Sequence, residues 1–150
     1  MPRPFRSHSA GLSYNNITAT AIDVSPRSVA ADVLLASTLI NVTVDIENTS
    51  GPAGLAVVEV FFNVTAPTRR ARFASALLGF AKVSIGAALA TARAVISVPV
   101  LNMAVWDSSR ANYTLDVARH GVWVAPHSGA PPTVSTWFSV TAPQAVATQD

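Results

Sequence analysis

Residues 38–64 constrain the fold more than any other part of the chain. Within them Ile40, Val42, Val44 and Ile46 alternate with Asn41, Thr43, Asp45 and Glu47. A period of two puts each set on its own face of an extended chain, which is the pattern of a half-buried β-strand. A second run, Val57-Val58-Glu59-Val60-Phe61-Phe62-Asn63-Val64, follows the turn-forming stretch Asn48-Thr49-Ser50-Gly51-Pro52-Ala53-Gly54. The two read as a hairpin-like pair of adjacent antiparallel strands. A sheet with one apolar face must bury it on a second layer, so the pair leads to a sandwich, and a sandwich alone names no chemistry.

Similar runs are expected as strands at 17–24, 38–48, 56–64, 78–85, 94–101, 112–117 and 134–140, with turn-prone residues between most of them. Ile96, Val98 and Val100 oppose Val95, Ser97 and Pro99. Tyr113, Leu115 and Val117 oppose Asn112, Thr114 and Asp116. Val134, Thr136, Phe138 and Val140 oppose Thr133, Ser135, Trp137 and Ser139. Each run has one face apolar enough for a core. The alanine-rich stretch 73–95 has helical propensity, but Gly79 and Gly86 interrupt it and its apolar residues keep no period of 3.6, so a strand is expected at 78–85. About seven short strands without alternating helices predict an all-β chain, an immunoglobulin-like or fibronectin type III-like antiparallel β-sandwich. At 150 residues, half of them hydrophobic, the chain can bury one core. The expected organisation is a Pro/Arg/Ser-rich linker at 1–16, the sandwich at 17–141 and a frayed tail at 142–150.

Charge excludes several classes of partner. Ten Lys and Arg against eight Asp and Glu leave a net charge of +2 in a chain only 12% charged, too thin an excess for a nucleic-acid surface. The one cluster, Arg69, Arg70 and Arg72, reads as a solvated loop before an anion site. No membrane span is expected, because charges and Pro99 interrupt the most apolar region, 77–105. Without cysteine there is no disulfide framework and no thiolate metal site. Asn16, Asn41, Asn48, Asn63 and Asn112 each open an Asn-x-Ser/Thr triplet, where chance would give about one or two such triplets, and they are the expected glycan acceptors. Glycosylation needs a secretory route. The first residues, Met1-Pro2-Arg3-Pro4-Phe5-Arg6, lack the apolar core of a signal peptide, so the expectation is either a protein that is not exported or the tail of a longer, secreted parent whose signal lies upstream.

Catalytic groups are scarce. His8, His120 and His127 stand in separate segments with no metal-binding spacing and read as solvated loop residues. No Gly-rich phosphate loop and no Gly-x-Ser-x-Gly elbow occurs. Asp45, Glu47 and Glu59 are expected on the polar face of neighbouring strands, where they serve solubility before any acid/base role. No cofactor is implied.

Several segments together carry a resemblance. Pro4-Phe5 followed by Gly11-Leu12-Ser13-Tyr14 resembles the lead into the C-terminal fibronectin type III-like domain of glycoside hydrolase family 3, the β-glucosidases and β-xylosidases. Val44-Asp45-Ile46-Glu47-Asn48-Thr49, then Gly54, then Val57-Val58-Glu59-Val60-Phe61-Phe62 is similar to that domain's second and third strands. Leu78-Gly79-Phe80-Ala81-Lys82-Val83 resembles its Leu-x-Gly-Phe-x-Lys-Val signature, and Val98-Pro99-Val100 through Met103-Ala104-Val105-Trp106-Asp107 its run into a Trp-Asp pair. The resemblance covers residues 4–124. Three places depart from it: Arg6 to Ala10 lengthen the lead, Ile85-Gly86-Ala87-Ala88 keeps only the glycine of the family's Pro-Gly-Glu-Ser, and Val122-Trp123-Val124-Ala125-Pro126 reads as a shortened or irregular closing strand.

In that family the nucleophile and the acid/base residue lie in other domains, so the resemblance implies a module with no catalytic residue of its own. It would pack on and stabilise the catalytic domains of a family 3 hydrolase. Trp123, Trp137, Phe61 and the Arg69, Arg70 and Arg72 loop are the expected contacts, and Trp106 is expected in core or interface packing. The competing expectation is a stand-alone extracellular module that binds glycans through Trp123 and Trp137.

Overall fold

A computed structural model of the chain describes residues 15–33, 35–64 and 75–143. In chain order the strands are β1 (Asn16–Ser25), β2 (Ser28–Ala30), β3 (Leu39–Ser50), β4 (Gly54–Val64), β5 (Ala76–Ile85), β6 (Thr91–Pro99), β7 (Val105–Asp107), β8 (Asn112–Thr114), β9 (Arg119–Val124) and β10 (Val134–Thr141). A single 3₁₀ turn, Val100–Met103, interrupts them among the described residues. Three strands form one sheet in the order β1-β3-β6, and five form the other in the order β2-β10-β9-β4-β5. All pairings within the two sheets are antiparallel except that of β2 with β10. The expected all-β sandwich is therefore the fold, with β7 and β8 as a separate hairpin at its side.

The alternation read in sequence decides which atoms meet between the sheets. Ile40, Val42, Val44 and Ile46 of β3 and Ala94, Ile96 and Val98 of β6 face Ala56, Val58, Val60 and Phe62 of β4 and Phe138 and Val140 of β10 across one core. Each fully buried Val, Ile or Phe contributes about 1.5–3 kcal/mol of transfer free energy. The alanine-rich stretch is a strand over Ala76–Ile85, and packing accounts for the glycine inside it. A Cβ at Gly79 would lie 3.0 Å from the Cγ2 atoms of Ile96 and Val98, a tight contact that the glycine avoids where β5 packs against β6.

Four expectations change. First, β3 and β4 are not hairpin neighbours: they lie in different sheets, and residues 51–53 carry the chain across. Second, the stretch read as irregular after Gly121 belongs to β9, which pairs with β10 on one side and β4 on the other. Its inward positions are His120, Val122 and Val124, so a histidine stands where an aliphatic residue would have signalled a strand. Third, the run 112–117 is a strand only as far as Thr114 and joins neither main sheet; Tyr113 and Val117 are exposed and Leu115 alone of that set reaches the core. Fourth, β2 and β7, each of three residues, were too short to show a period. Of the expected linker only residues 15 and 16 are described, and of the expected tail only residues 142 and 143.

Asn48 holds the crossing points together. Its Nδ2 donates to the carbonyls of Gly86 at 2.9 Å, Pro52 at 3.1 Å and Gly51 at 3.4 Å. All three neighbours can only accept, which fixes the orientation of the amide. Its backbone joins in: Asn48 N–H donates to Ala90 O at 2.9 Å, and Leu89 N–H to Asn48 O at 2.7 Å. Leu89 meets this bond in the left-handed region, φ 70°, with its side chain in solvent.

Replacing Asn48 with alanine strips three carbonyls of a buried donor and is expected to lower unfolding free energy by about 2–4 kcal/mol. Chemical denaturation checks it, and an unchanged midpoint would show that the amide is not a structural pin. Leu89→Gly removes the left-handed penalty of a side chain that packs on nothing and should raise the midpoint, by about 1 kcal/mol in stability.

Candidate functional site

The outward faces of the two sheets differ in chemistry. On the three-stranded sheet the outward side chains are mostly polar and satisfy one another. Arg93 donates through Nε to Asp45 Oδ1 at 2.6 Å and through Nη2 to Oδ2 at 3.0 Å, and Ser97 Oγ donates to Asn41 Oδ1 at 2.6 Å. The bonded Arg93 guanidinium holds the Asp45 carboxyl below the ordinary carboxylate range. A carboxylate depressed in this way adds stability above its unfolded pKa and loses it as pH falls through the folded value. The pair is solvent-exposed, so its contribution is small.

The five-stranded sheet exposes several large apolar side chains on its outward face. Leu55 and Val57 of β4 are 69% and 56% exposed, and Leu77 and Phe80 of β5 are 49% and 59% exposed. The register brings them onto one face: Phe80 lies opposite Glu59 and Leu77 opposite Phe61, while Val57 and Leu55, one and two steps further along β4, lie opposite Lys82 and Ser84. Four large apolar side chains on two paired strands form a strip that water wets at a cost. Sequence reasoning missed these residues. The signal was present in the unbroken apolar run 55–58, which fits a strand with two covered faces better than one with a single covered face.

Next to the strip lies an aromatic depression. Phe61 of β4 stacks with Trp123 of β9, ring centroids 6.4 Å apart, and Arg119 of β9 lies 4.7 Å from the ring centre of Trp137 on β10. Between the two indoles β9 has only Gly121, which pairs with both Asn63 and Trp137. A Cβ at Gly121 would come within 2.6 Å of Asn63 Oδ1, so the missing side chain opens the floor. The resulting hollow of about 300 Å³ is lined by Asn63, Trp123, Trp137, Ser135 and Pro132, with Gly121 beneath.

Of the expected contact residues, Phe61, Trp123 and Trp137 meet on this face. Phe61 is buried and backs Trp123 without presenting a surface of its own. Arg69, Arg70 and Arg72 lie outside the described residues. Trp106 is not a core residue: it is 52% exposed on β7 and meets Tyr113 of β8 edge to face at 5.3 Å.

The expected neighbours among the acids are separated. Asp45 and Glu47 are on β3 of the three-stranded sheet and Glu59 is on β4 of the other, so their outward faces point away from each other. Glycoside hydrolysis with retention needs two carboxyls about 5 Å apart across one pocket, and these three do not supply that pair. His120 is not a solvated loop residue. It is fully buried between Phe62 and Phe138, at ring distances of 6.5 and 6.4 Å, with Nε2 3.2 Å from the Asp116 carbonyl. Because a carbonyl only accepts, Nε2 carries the proton. His127 Nδ1 accepts from Gly129 N–H at 3.4 Å in the β9–β10 loop. No group of three His, Asp or Glu that could hold a metal occurs among the described residues, and no helix there is long and apolar enough to cross a membrane.

The asparagines of the Asn-x-Ser/Thr triplets fall in unlike places. Asn16, Asn41 and Asn112 are exposed, and Asn63 is half-buried at the rim of the hollow. Asn48 is fully buried with its Nδ2 engaged, so the folded domain has no room for a glycan on that nitrogen.

No family model and no curated protein matches the chain. Solved structures do. The chain is similar to the β-D-glucoside glucohydrolase of Trichoderma reesei, with TM-score 0.72 and 22% identity over 89% of this chain and 20% of that one. It is similar to a β-glucosidase of Streptomyces venezuelae in complex with D-glucose, with TM-score 0.72 and 24% identity over 88% of this chain and 16% of that one. With the GH3 β-glucosidase of Bifidobacterium adolescentis the TM-score is 0.70 at 19% identity, over 95% of this chain and 20% of that one. The likeness is one of fold, and nearly the whole of this chain superposes on a segment that makes up a fifth or less of each of these enzymes.

Proposed function

We propose that this chain is a non-catalytic accessory sandwich of a family 3 glycoside hydrolase of β-glucosidase type, of the fibronectin type III-like kind, and that it packs on the catalytic domains of the same enzyme. One observation carries the reading: 88–95% of this chain matches only 16–20% of the chain in three β-glucosidases from different organisms. The remaining four fifths of such an enzyme is where a substrate pocket and a carboxylate pair would lie. Asp45 and Glu47 lie on the sheet opposite the one that carries Glu59, an arrangement that fits a supporting role.

The apolar strip of Leu55, Val57, Leu77 and Phe80 is the surface that the catalytic domains would cover. A strip of this kind is unfavourable in water and favourable once a partner surface removes it from solvent. The opposite sheet, with its Asp45–Arg93 pair and Ser97–Asn41 bond, has the chemistry of a face that stays wet. A parent enzyme on the secretory route, glycosylated at exposed Asn16, Asn41 or Asn112, completes the reading.

The purified 150-residue chain is expected to leave aryl β-glucosides unhydrolysed, and turnover above buffer would sink the proposal. Mixed with the catalytic part encoded in frame upstream, it should raise that part's melting temperature. Val57→Glu combined with Phe80→Glu places two charges in the covered strip and should remove the effect while leaving the isolated sandwich folded by circular dichroism. A coding region upstream without such a catalytic part would overturn the reading outright.

A further inference from the structure

The hollow over β9 and β10 is separate from the apolar strip, because the stacked Phe61 and Trp123 rings stand between them. Its lining is mixed. Two indoles form walls, Asn63 offers an amide, Ser135 offers a hydroxyl, Pro132 closes the rim, and no charged side chain lines it. Neither Asn63 nor Ser135 spends its side chain on a hydrogen bond within the described residues, whereas the polar residues of the other sheet do. Trp137 is 44% exposed, and the Arg119 guanidinium lies over one face of its ring, 4.7 Å from the centre, which holds the indole in place. At about 300 Å³ the hollow is at the small end of the range of ligand pockets, roughly 300–1,000 Å³, and has room for one ring.

The geometry points to a pyranose-binding site in this hollow. A pyranose has an apolar C–H face and an equatorial belt of neutral hydroxyls. The face suits an indole wall, and the hydroxyls suit an amide and a serine whose side chains make no hydrogen bond among the described residues. No acid lines the hollow, which disfavours cationic ligands. Gly121 is the enabling residue, since any side chain there would fill the floor. The ring can come from two sources. It is either one unit of a soluble glucan oligosaccharide or the first sugar of a glycan carried by Asn63 itself, whose triplet Asn63-Val64-Thr65 fits the acceptor pattern. The choice of glucans as soluble probes rests on the β-glucosidase-type reading; the site itself rests on the lining.

The test is nuclear magnetic resonance of the indole N–H signals of the full chain. In the first arm, unglycosylated protein is titrated with cellotriose, laminaritriose and chitobiose up to tens of millimolar. Saturable shifts at Trp137 and Trp123, but not at Trp106, support a soluble ligand, and Trp137→Ala should weaken the response at least tenfold. In the second arm, the chain is made in a glycosylating secretory host and compared with Asn63→Gln. Indole shifts at Trp137 that depend on the Asn63 glycan support the attached sugar. The inference is overturned if neither arm moves Trp137, or if the Trp123 response to the soluble sugars is undiminished in Trp137→Ala. Exposed Trp137 can be truncated without opening the core, so loss of folding does not confuse the outcome. Neither result bears on docking by the strip, which the Val57 and Phe80 variants test separately.

Discussion

The sandwich depends on the chain crossing between sheets at one end, and Asn48 holds that end. Residues 51–53 carry the chain from β3 to β4, and residues 86–90 carry it back from β5 to β6. These two short crossings run side by side, and both leave backbone carbonyls pointing inward where no strand partner exists. One buried amide satisfies carbonyls from each of them, Gly51 and Pro52 on the outward crossing and Gly86 on the return. The facing of β3 and β6 against β4 and β5 follows from that knot. So does the strain at Leu89, which takes a left-handed conformation to present its N–H to Asn48.

Much of the fold was legible because the core is built from strict alternation. The runs from Ile40 to Ile46 and from Ile96 to Val100 show in sequence the face they bury, and the structure buries it. What stayed hidden had physical causes. The pairing of β3 with β6 rather than β4 is long-range, and no local pattern encodes which strand sits beside which. Strand β9 was obscured because its inward histidine and outward glycine invert the usual polarity at two successive positions. The Asn48 triplet looked like a glycan acceptor, since a sequence cannot show that its amide points inward.

The candidate site was half legible. Trp123 and Trp137 were singled out for their type, and they do meet on one face. Their setting was not visible, because Asn63, Gly121 and Trp137 come from three strands and are brought level only by the register of β4, β9 and β10. The apolar strip was missed for a different reason. A strand with Leu55 and Val57 outward and Ala56 and Val58 inward has no contrast between its faces, so its outward apolar residues merged with those of the core. That lack of contrast is itself informative: such a strand expects cover on both sides.

The short strand β2 also matters beyond its three residues. Strand β1 belongs to the three-stranded sheet, and after a cis bond at Ser25–Pro26 the same segment joins the other sheet as β2, parallel to Ser139, Val140 and Thr141. It occupies the flank of β10, where open N–H and C=O groups would otherwise invite a strand from another molecule. One continuous stretch thus laces both layers along a side and covers residues 139–141 of the β10 edge. Loss of that lacing would show first as oligomers and fibrils grown strand on strand, well before the core itself came apart.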